Sequence, residues 1–283
     1  MLQVVRKPCA ALAPFVETFW YFEGDLPHAR ERILPNGRMQ LIVNLHEDEL
    51  RSYHGQELAS MHRMRGAVLC GAYAGHFAID TAEQRQIMGA SFTPGGAFPF
   101  FRPPCDVTTE THVELDQVWG REGELVRERL AEAKTPEARL GRLEALLLER
   151  ALRPLEPDGA VAFALAAFER DLPVAAVTER IGLAPKTFIR RFSERVGLTP
   201  KRFARIQRFQ RVLGALEAGR SVNWASVAVG CGYFDQAHLI HDFRAFSGIR
   251  PTQYVSGGTG GRNHVRIDNQ NDEDGGGGGG GGD

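Results

Sequence analysis

The chain has 283 residues, 43% of them hydrophobic and 24% charged, with a formal net charge of −1. It is long enough for two domains with separate cores, and its composition is that of an ordinary globular protein. No apolar run is long enough to cross a bilayer and no signal peptide begins the chain, so we expect a cytoplasmic protein without membrane contact.

Short strand-like segments dominate the first hundred residues. In "RILPNGRMQLIVNL", a Pro-Asn-Gly turn precedes Met39, Leu41, Val43 and Leu45, whose alternation of period two predicts a β-strand. Similar short runs follow in "MRGAVLCGAY", "HFAID" and "IMGASF". "FTPGGAFPFFRPPC" is a loop rich in proline, glycine and phenylalanine. The segment therefore predicts a β-rich domain.

The pattern becomes helical after this loop and continues to a linker. "TPEARLGRLEALLLERAL" places Thr135 as the N-cap and Pro136 at the first helical position. "RPLEPDG", residues 153–159, contains two prolines and a glycine and is typical of a linker. We predict a β-rich sensor and dimerisation domain with trailing helices over residues 1–152.

Residues 160–255 are predicted to form an all-α domain, so that the whole chain is an α+β protein of two domains. The helices are expected near residues 160–170, 174–181, 186–196, 200–218, 224–229, 236–247 and 251–255. The segment 256–283 is rich in glycine and acidic residues and is predicted to be a disordered tail.

The helical domain contains one spacing twice. Each copy has a large apolar residue, another four positions later, and then glycine, proline and an aromatic residue at gaps of five, three and three. A short helix and a glycine-containing turn precede each copy, and this order predicts two helix-turn-helix units. The matched pairs, each 51 residues apart, are Phe188/Leu239, Phe192/Phe243, Gly197/Gly248, Pro200/Pro251 and Phe203/Tyr254.

In such a unit the outward face of the second helix enters the major groove of DNA. Arg190 is the strongest candidate for base contact, because its guanidinium group can bond to O6 and N7 of guanine together. Gln236 and His238 can bond to base edges, and Ala237 can contact a thymine methyl group. The predicted base-contacting residues are Lys186, Thr187, Arg190, Gln236, Ala237, His238 and His241.

The helix between the two units has a length and a charge that suit DNA binding. Its 18 or so residues span about 27 Å, near the rise of about 34 Å in one DNA turn. Between residues 170 and 255 there are fourteen basic and six acidic side chains, which favours contact with a polyanion. The predicted phosphate-contacting residues are Arg191, Arg202, Arg205 and Arg208.

The segment from about residue 160 to 255 resembles the DNA-binding domain of AraC/XylS-type bacterial transcription regulators. The resemblance is carried by "VTERIGLAPKTFIRRFSERVGLTPKRFARIQRFQRV" and "ASVAVGCGYFDQAHLIHDFRAFSGIRPTQY". It implies seven helices in two subdomains joined by a long helix, a nucleoid-associated protein in a bacterial cytoplasm, and promoter binding that recruits or blocks RNA polymerase. The chain departs from the family at His241, where arginine is usual, and at Ile189, where a polar residue is common.

The N-terminal part resembles an uncharacterised sensor-like domain found ahead of such DNA-binding domains, through "FVETFWYFEG", "ILPNGRMQLIVNL" and "GASFTPGGAFPFF". In the wider family this position holds a β-rich domain, often a small barrel, that binds an effector and forms homodimers. A small-molecule effector of unknown identity is therefore expected here. Aromatic residues at strand spacing are also typical of a core. The predicted effector-binding residues are Trp20, Tyr21, Phe22, Tyr73 and Phe98.

Two alternatives to an effector-controlled regulator remain open. The first is an enzyme that repairs alkylated DNA with Cys105 as the methyl acceptor. The four cysteines lie far apart, however, which argues against the zinc site that would activate a thiolate. Since no other catalytic pattern or cofactor motif is present, we expect neither an enzyme nor a cofactor. The second alternative is control by a protein partner through the helices between residues 115 and 150.

Overall fold

The computed structural model describes residues 1–55, 57–217, 223–256 and 259–267. Strands precede helices, and two further strands follow the last helix. The strands are β1 (Leu2–Arg6), β2 (Val16–Glu23), β3 (Arg30–Ile33), β4 (Gln40–Asn44), β5 (Leu50–His54), β6 (Ser60–Met64), β7 (Ala67–Cys70), β8 (Phe77–Asp80), β9 (Gln86–Phe92), β10 (His112–Glu114), β11 (Thr259–Gly261) and β12 (His264–Ile267). The helices are α1 (Leu115–Trp119), α2 (Arg121–Ala131), α3 (Pro136–Glu149), α4 (Gly159–Glu169), α5 (Val174–Ile181), α6 (Pro185–Val196), α7 (Pro200–Glu217), α8 (Trp224–Gly230), α9 (Gln236–Ser247) and α10 (Pro251–Ser256).

The strands form two antiparallel sheets of six strands each. The first has the order β1-β2-β9-β4-β7-β10 and the second β11-β12-β3-β8-β5-β6. A closed barrel requires the outermost strands of a sheet to pair with each other. Within the described residues β1 does not pair with β10, nor β11 with β6. The N-terminal domain is β-rich as predicted, but it is not the small barrel that the resemblance implied.

Side chains of alternate residues fill the space on each side of the first sheet. Phe19 and Tyr21 of β2 are buried, whereas the neighbouring Trp20 is partly exposed on the opposite face. Trp20 lies opposite Gly89 of β9, and a Cβ on Gly89 would come within 2.7 Å of the indole ring. Glycine is therefore required at this close approach.

The phenylalanine-rich loop after β9 belongs to the core. Phe92, Phe100 and Phe101 are fully buried, and Phe101 stacks on Trp119 of α1 with ring centroids 5.4 Å apart. The indole N–H of Trp119 donates to the carbonyl oxygen of Phe100 at 2.9 Å. This loop therefore fixes the trailing helices against the first sheet.

The helical part follows the predicted order of helices. The side chain of Thr135 accepts a hydrogen bond from the amide of Ala138, which confirms it as the N-cap of α3. Asp158 caps α4 by accepting from the amides of Ala160 and Val161. No helix in the described ranges is both long enough and apolar enough to span a membrane.

Part of the predicted disordered tail is a β-hairpin. Residues 259–267 form β11 and β12, and β12 pairs antiparallel with β3. The prediction is wrong for these residues because Val265 is buried and the hydroxyl of Tyr254 donates to the carbonyl oxygen of Arg262 at 2.9 Å. The rest of the predicted tail, 268–283, lies outside the described residues. The hairpin ties the helical part back to the second sheet.

Candidate nucleic-acid interface and ligand cavity

The second helix of the first unit, α6, separates a buried face from an exposed one. Phe188 and Phe192 are fully buried, and the ring of Phe192 lies 5.7 Å from that of Phe203. Lys186, Thr187 and Arg190 are exposed. The Arg190 side chain is 73% exposed, and its guanidinium group lies 3.8 Å from the carboxylate of Glu194. The predicted base-contacting side chains thus share the outward face.

The second helix of the second unit, α9, has the same organisation. The side chain of Asp235 caps it by accepting from the amide of His238 at 2.7 Å. Phe243 is buried against Phe209, with ring centroids 5.2 Å apart. The predicted base-contacting residues of this helix are exposed: Gln236, Ala237, His238 and His241.

Both helices, which we call the recognition helices, end against the β-rich domain. Gly197 ends α6 and Gly248 ends α9, both in the left-handed conformation. The hydroxyl of Thr109 donates to the carbonyl oxygen of Gly197, and Arg32 donates to that of Ser247 at 3.2 Å. Because the carboxyl ends face the β-rich domain, the amino-terminal turns with the candidate base-contacting side chains point away from it.

The four predicted phosphate-contacting arginines all form ion pairs within the protein. Their nearest N···O distances are Arg191–Asp158 at 2.8 Å, Arg202–Glu110 at 3.0 Å, Arg205–Asp242 at 2.6 Å and Arg208–Asp171 at 3.9 Å. An arginine can keep such a partner and bond a phosphate only if some of its five N–H groups still face solvent. Phosphate contact therefore stays a prediction for all four. Arg202 is the most exposed of them, but its partner Glu110 belongs to the β-rich domain.

Asp158 connects the segment before α4 to the first recognition helix. Its carboxylate lies 2.8 Å from Arg191 and 3.0 Å from Arg195, in addition to capping α4. Although burial alone would raise the pKa of Asp158, the hydrogen bonds from Arg191 and the amide of Val161 lower it below the usual value. The carboxylate is thus charged at neutral pH and fixes α6 to α4.

A cavity of about 510 Å³ lies between the two sheets. Its walls come from β2, β4, β7 and β9 of the first sheet and from β3, β5, β8 and β12 of the second. Trp20, Tyr21, Phe22 and Tyr73 are among the lining residues, so four predicted effector-binding residues lie together. Phe98 lies elsewhere, beneath the guanidinium groups of Arg153 and Arg195.

A carboxylate between two histidines forms one polar part of the cavity wall. Glu31 bonds to Nε2 of His28 at 2.8 Å and to Nδ1 of His264 at 2.7 Å. Burial opposes ionisation, but the bonds to His264 and His28 lower the pKa of Glu31 to about 2. This cluster could not be predicted from the sequence, because His264 stands in a segment with a disorder-like composition.

A second polar contact lies beside Tyr73. Its hydroxyl is 2.8 Å from Nδ1 of His112, and its ring is 4.4 Å from that of Phe77. Burial lowers the pKa of His112 to about 3, with smaller effects from His54 and His62. His112 is therefore neutral at physiological pH, and this part of the wall carries no charge.

The environment of Cys105 does not support the DNA-repair alternative. The thiol is buried, and burial raises its pKa to about 12. A methyl acceptor must be a thiolate, usually activated by zinc. Within the described ranges, no group of three or more His, Cys, Asp or Glu side chains is placed to hold a metal ion.

Two separate parts of the chain match family models. A domain of unknown function, DUF6597, matches residues 5–114. A helix-turn-helix domain matches residues 177–257. No curated protein sequence matches the chain significantly.

A search of solved structures found several of ToxT from Vibrio cholerae. One is 8% identical, covers 90% of this chain and 98% of its own, and has a TM-score of 0.43. ToxT bound to (E)-4-(8-methylnaphthalen-1-yl)but-3-enoic acid has the same identity and coverage and a TM-score of 0.44. ToxT bound to an unsaturated fatty acid is 7% identical, with coverage of 89% and 94% and a TM-score of 0.42.

Proposed function

We propose that this chain is a DNA-binding transcription regulator of the AraC type and that it binds two adjacent major grooves of promoter DNA. Residues 177–257 match a model of a helix-turn-helix domain. The observation that carries the proposal is the pair of recognition helices. Both present their candidate base-contacting side chains to solvent, and both end against the β-rich domain. Two recognition helices with outward side chains suit two grooves on one side of a duplex.

The exposed side chains give the two units different base preferences. Arg190 suits guanine, whose O6 and N7 accept both N–H groups of a guanidinium fork. Gln236 suits adenine, because its amide can bond to N6 and N7 together, and Ala237 suits the thymine methyl group. Promoter binding of this kind regulates transcription by recruiting or blocking RNA polymerase.

We further propose that a small, mainly apolar effector binds in the cavity between the sheets. A volume of about 510 Å³ falls in the usual range for small-molecule sites. Trp20, Phe22 and Tyr73 supply an apolar wall. Buried Nδ1 of His28 and Nε2 of Gln84 have no hydrogen-bond partner within the described residues, and a polar group on the effector would satisfy them. Phe98 is not part of this proposed site.

The cytoplasmic location and the homodimer remain part of the proposal. The helices α2 and α3 are the segment through which we expect dimerisation. Sedimentation of the full chain at several concentrations tests this point, and a monomer at every concentration would contradict it.

Selection of DNA from a random library by the full chain tests the proposed DNA binding. We expect a fragment with two half-sites about one helical turn apart. Arg190→Ala should weaken binding to that fragment about 5- to 150-fold, the equivalent of about 1–3 kcal/mol for a bidentate base contact. Fluorescence anisotropy at fixed salt measures the change.

Arg63→Ala is the matched control, because it removes the same charge from an exposed side chain on β6 of the other domain. Arg63→Ala should weaken binding by less than about twofold, because the Arg63 charge lies on the other domain and is screened from the DNA. Equal losses in Arg190→Ala and Arg63→Ala would refute base reading by Arg190. Failure to enrich any fragment would refute DNA binding itself.

A further inference from the structure

A single loop lies between the cavity and the ends of both recognition helices. This β7–β8 loop, residues 71–76, connects β7 of the first sheet to β8 of the second. Gly71 and Tyr73 line the cavity. Ala72 lies against the end of α6, and His76 lies against the end of α9.

The loop packs closely on the end of α6. A Cβ added to Gly197 would lie 3.1 Å from the Cβ of Ala72 and 3.3 Å from the carbonyl oxygen of Cys105. Ala72 is itself held in place, because its carbonyl oxygen accepts from the amide of Glu110 at 3.2 Å. The end of the first recognition helix therefore has no free space beside the loop.

The other end of the loop packs on the end of α9. A Cβ added to Gly248 would lie 2.5 Å from Nε2 of His76, so the imidazole ring occupies the space that a larger residue would need. Arg32 of β3 binds the neighbouring carbonyl oxygen of Ser247. The second recognition helix is thus positioned by the same loop as the first.

Tyr73 is the residue of the loop whose side chain lines the cavity. It follows Ala72 directly in the chain, and its ring faces the cavity beside Phe77. Close-packed contacts transmit small displacements because no empty space lies between the packed atoms. An occupant that displaces Tyr73 therefore also displaces Ala72 and the ends of the helices.

We propose that the β7–β8 loop holds the two recognition helices at a fixed separation and couples that separation to occupancy of the cavity. The inference rests on the proposed binding of two adjacent grooves. One added base pair moves the second groove by about 3.4 Å and rotates it around the duplex. A rigid attachment makes binding sensitive to this change, and a loosened one makes it tolerant.

The test compares two DNA fragments. One is the fragment selected by the wild-type full chain, and the other carries one extra base pair between its half-sites. For the wild type, the insertion should weaken binding by about tenfold or more. For His76→Ala, which removes the ring beside Gly248, the insertion should weaken binding by less than about threefold. Fluorescence anisotropy measures the dissociation constant of each protein for both fragments. The ratio of the two constants gives the effect of the insertion.

The cavity side of the proposal is tested without a ligand. Tyr73→Ala removes the ring that joins the cavity to the loop and should relax the spacing requirement as His76→Ala does. Tyr53→Ala is the matched control, because Tyr53 is also buried and bonds to Asp80 but does not line the cavity. His46→Ala, at an exposed site, controls for loss of a histidine. Both controls should keep the wild-type ratio.

Circular dichroism checks that each variant is folded, and Tyr73→Leu replaces Tyr73→Ala if the latter is not. A ratio for His76→Ala as large as the wild-type ratio overturns the proposal, and so does a wild type that tolerates the insertion. Relaxation in His76→Ala alone overturns the coupling to the cavity. These outcomes leave DNA binding intact, whereas failure to select any fragment refutes both proposals.

Discussion

Arg190 and His241 are equivalent residues of the two units, 51 positions apart in the repeat. Both side chains are largely exposed, by 73% and 79%. Guanidinium offers five N–H groups in a planar fork, whereas imidazole has two ring nitrogens. The two units therefore present different hydrogen-bonding groups at equivalent exposed positions.

We predict that His241→Arg changes the base preference of the second half-site. The new side chain should favour guanine at the facing position by about 1–3 kcal/mol, because it can bond to O6 and N7 together. Anisotropy with each base substituted in turn measures this, and Arg190→His is the reciprocal variant that should lose guanine preference in the first half-site. Unchanged preference at every position would contradict the prediction.

The arginines of α7 have different surroundings even though they recur every third residue. Arg202 is 49% exposed and pairs with the exposed carboxylate of Glu110. Arg208 is 25% exposed, and its guanidinium group lies 5.3 Å from the ring centre of Tyr233. A cation near an aromatic face contributes to folding stability. Arg202 thus has more exposed surface for a phosphate contact than Arg208, whose guanidinium group packs against an aromatic ring.

We predict that Arg202→Gln changes the salt dependence of DNA binding, whereas Arg208→Gln changes the thermal stability. Arg202→Gln should reduce the slope of log K against log salt by about 1, because one phosphate contact is lost. Arg208→Gln should leave that slope unchanged and lower the melting temperature, because the contact with Tyr233 is lost. Salt titrations of DNA binding and thermal melts of both variants decide the matter. Equal slopes for Arg202→Gln and the wild type would contradict the phosphate contact.

At the scale of helices and strands, the sequence predicts what is determined locally. The bounds of α5 and α9 agree with the predicted ranges, since caps, glycine stops and apolar periodicity all lie within the helix or beside it. The predicted base-contacting residues are exposed for the same reason. Their positions follow from the buried positions of the same helix.

Contacts between distant segments could not be predicted in this way. The β11–β12 hairpin exists because β12 pairs with β3, more than two hundred residues earlier in the chain. The cluster of His28, Glu31 and His264 depends on that pairing. Trp20, Phe22 and Tyr73 were identified by residue type alone, which does not distinguish a cavity wall from a core. Phe98, chosen by the same criterion, lies elsewhere.

Gly182 and Gly248 end their helices with the same backbone conformation but have different surroundings. Gly182 and Gly248 both have φ of +71°, but a Cβ would meet nothing within 4 Å at Gly182 and would meet His76 at Gly248. Gly182→Ala should cost about 1–2 kcal/mol of the free energy of unfolding for the left-handed backbone. Gly248→Ala should cost a further ~1–3 kcal/mol for the steric overlap.

Urea unfolding measures both changes. Adding His76→Ala to Gly248→Ala should remove most of the excess cost, because the ring that the Cβ meets is gone. Equal costs for the two glycine substitutions would show that the loop does not press on α9.

For the molecule as a whole, buried histidines connect stability to pH. Burial lowers the pKa of His76 to about 4, with a further contribution from the charge of Arg32, and lowers that of His112 to about 3. Burial also lowers the pKa of His54. Below about pH 6.5 the unfolded chain binds protons at these positions that the folded chain does not. The free energy of unfolding should therefore fall as the pH is lowered from 6.5 towards 4.

We predict that acidification from pH 7.5 to 5.0 lowers the free energy of unfolding by about 1–2 kcal/mol through His112 alone. His112→Gln should flatten the dependence by that amount, because the ionisable group is removed. His46→Gln, at an exposed position, should leave the dependence as in the wild type. Urea unfolding at a series of pH values measures the three proteins, and a pH-independent wild type would contradict the prediction.

The pairing of β12 with β3 has a consequence for how the protein is made. On the ribosome, the β3 edge of the second sheet stays open until residue 267 has emerged, because the strand that pairs with β3 is translated after every helix in the described residues. A nascent chain that stops within the helical region exposes this edge, and unpaired edges recruit other strands. Such a product also lacks the imidazole of His264 beside Glu31. Premature termination should therefore yield aggregating fragments rather than a free β-rich domain.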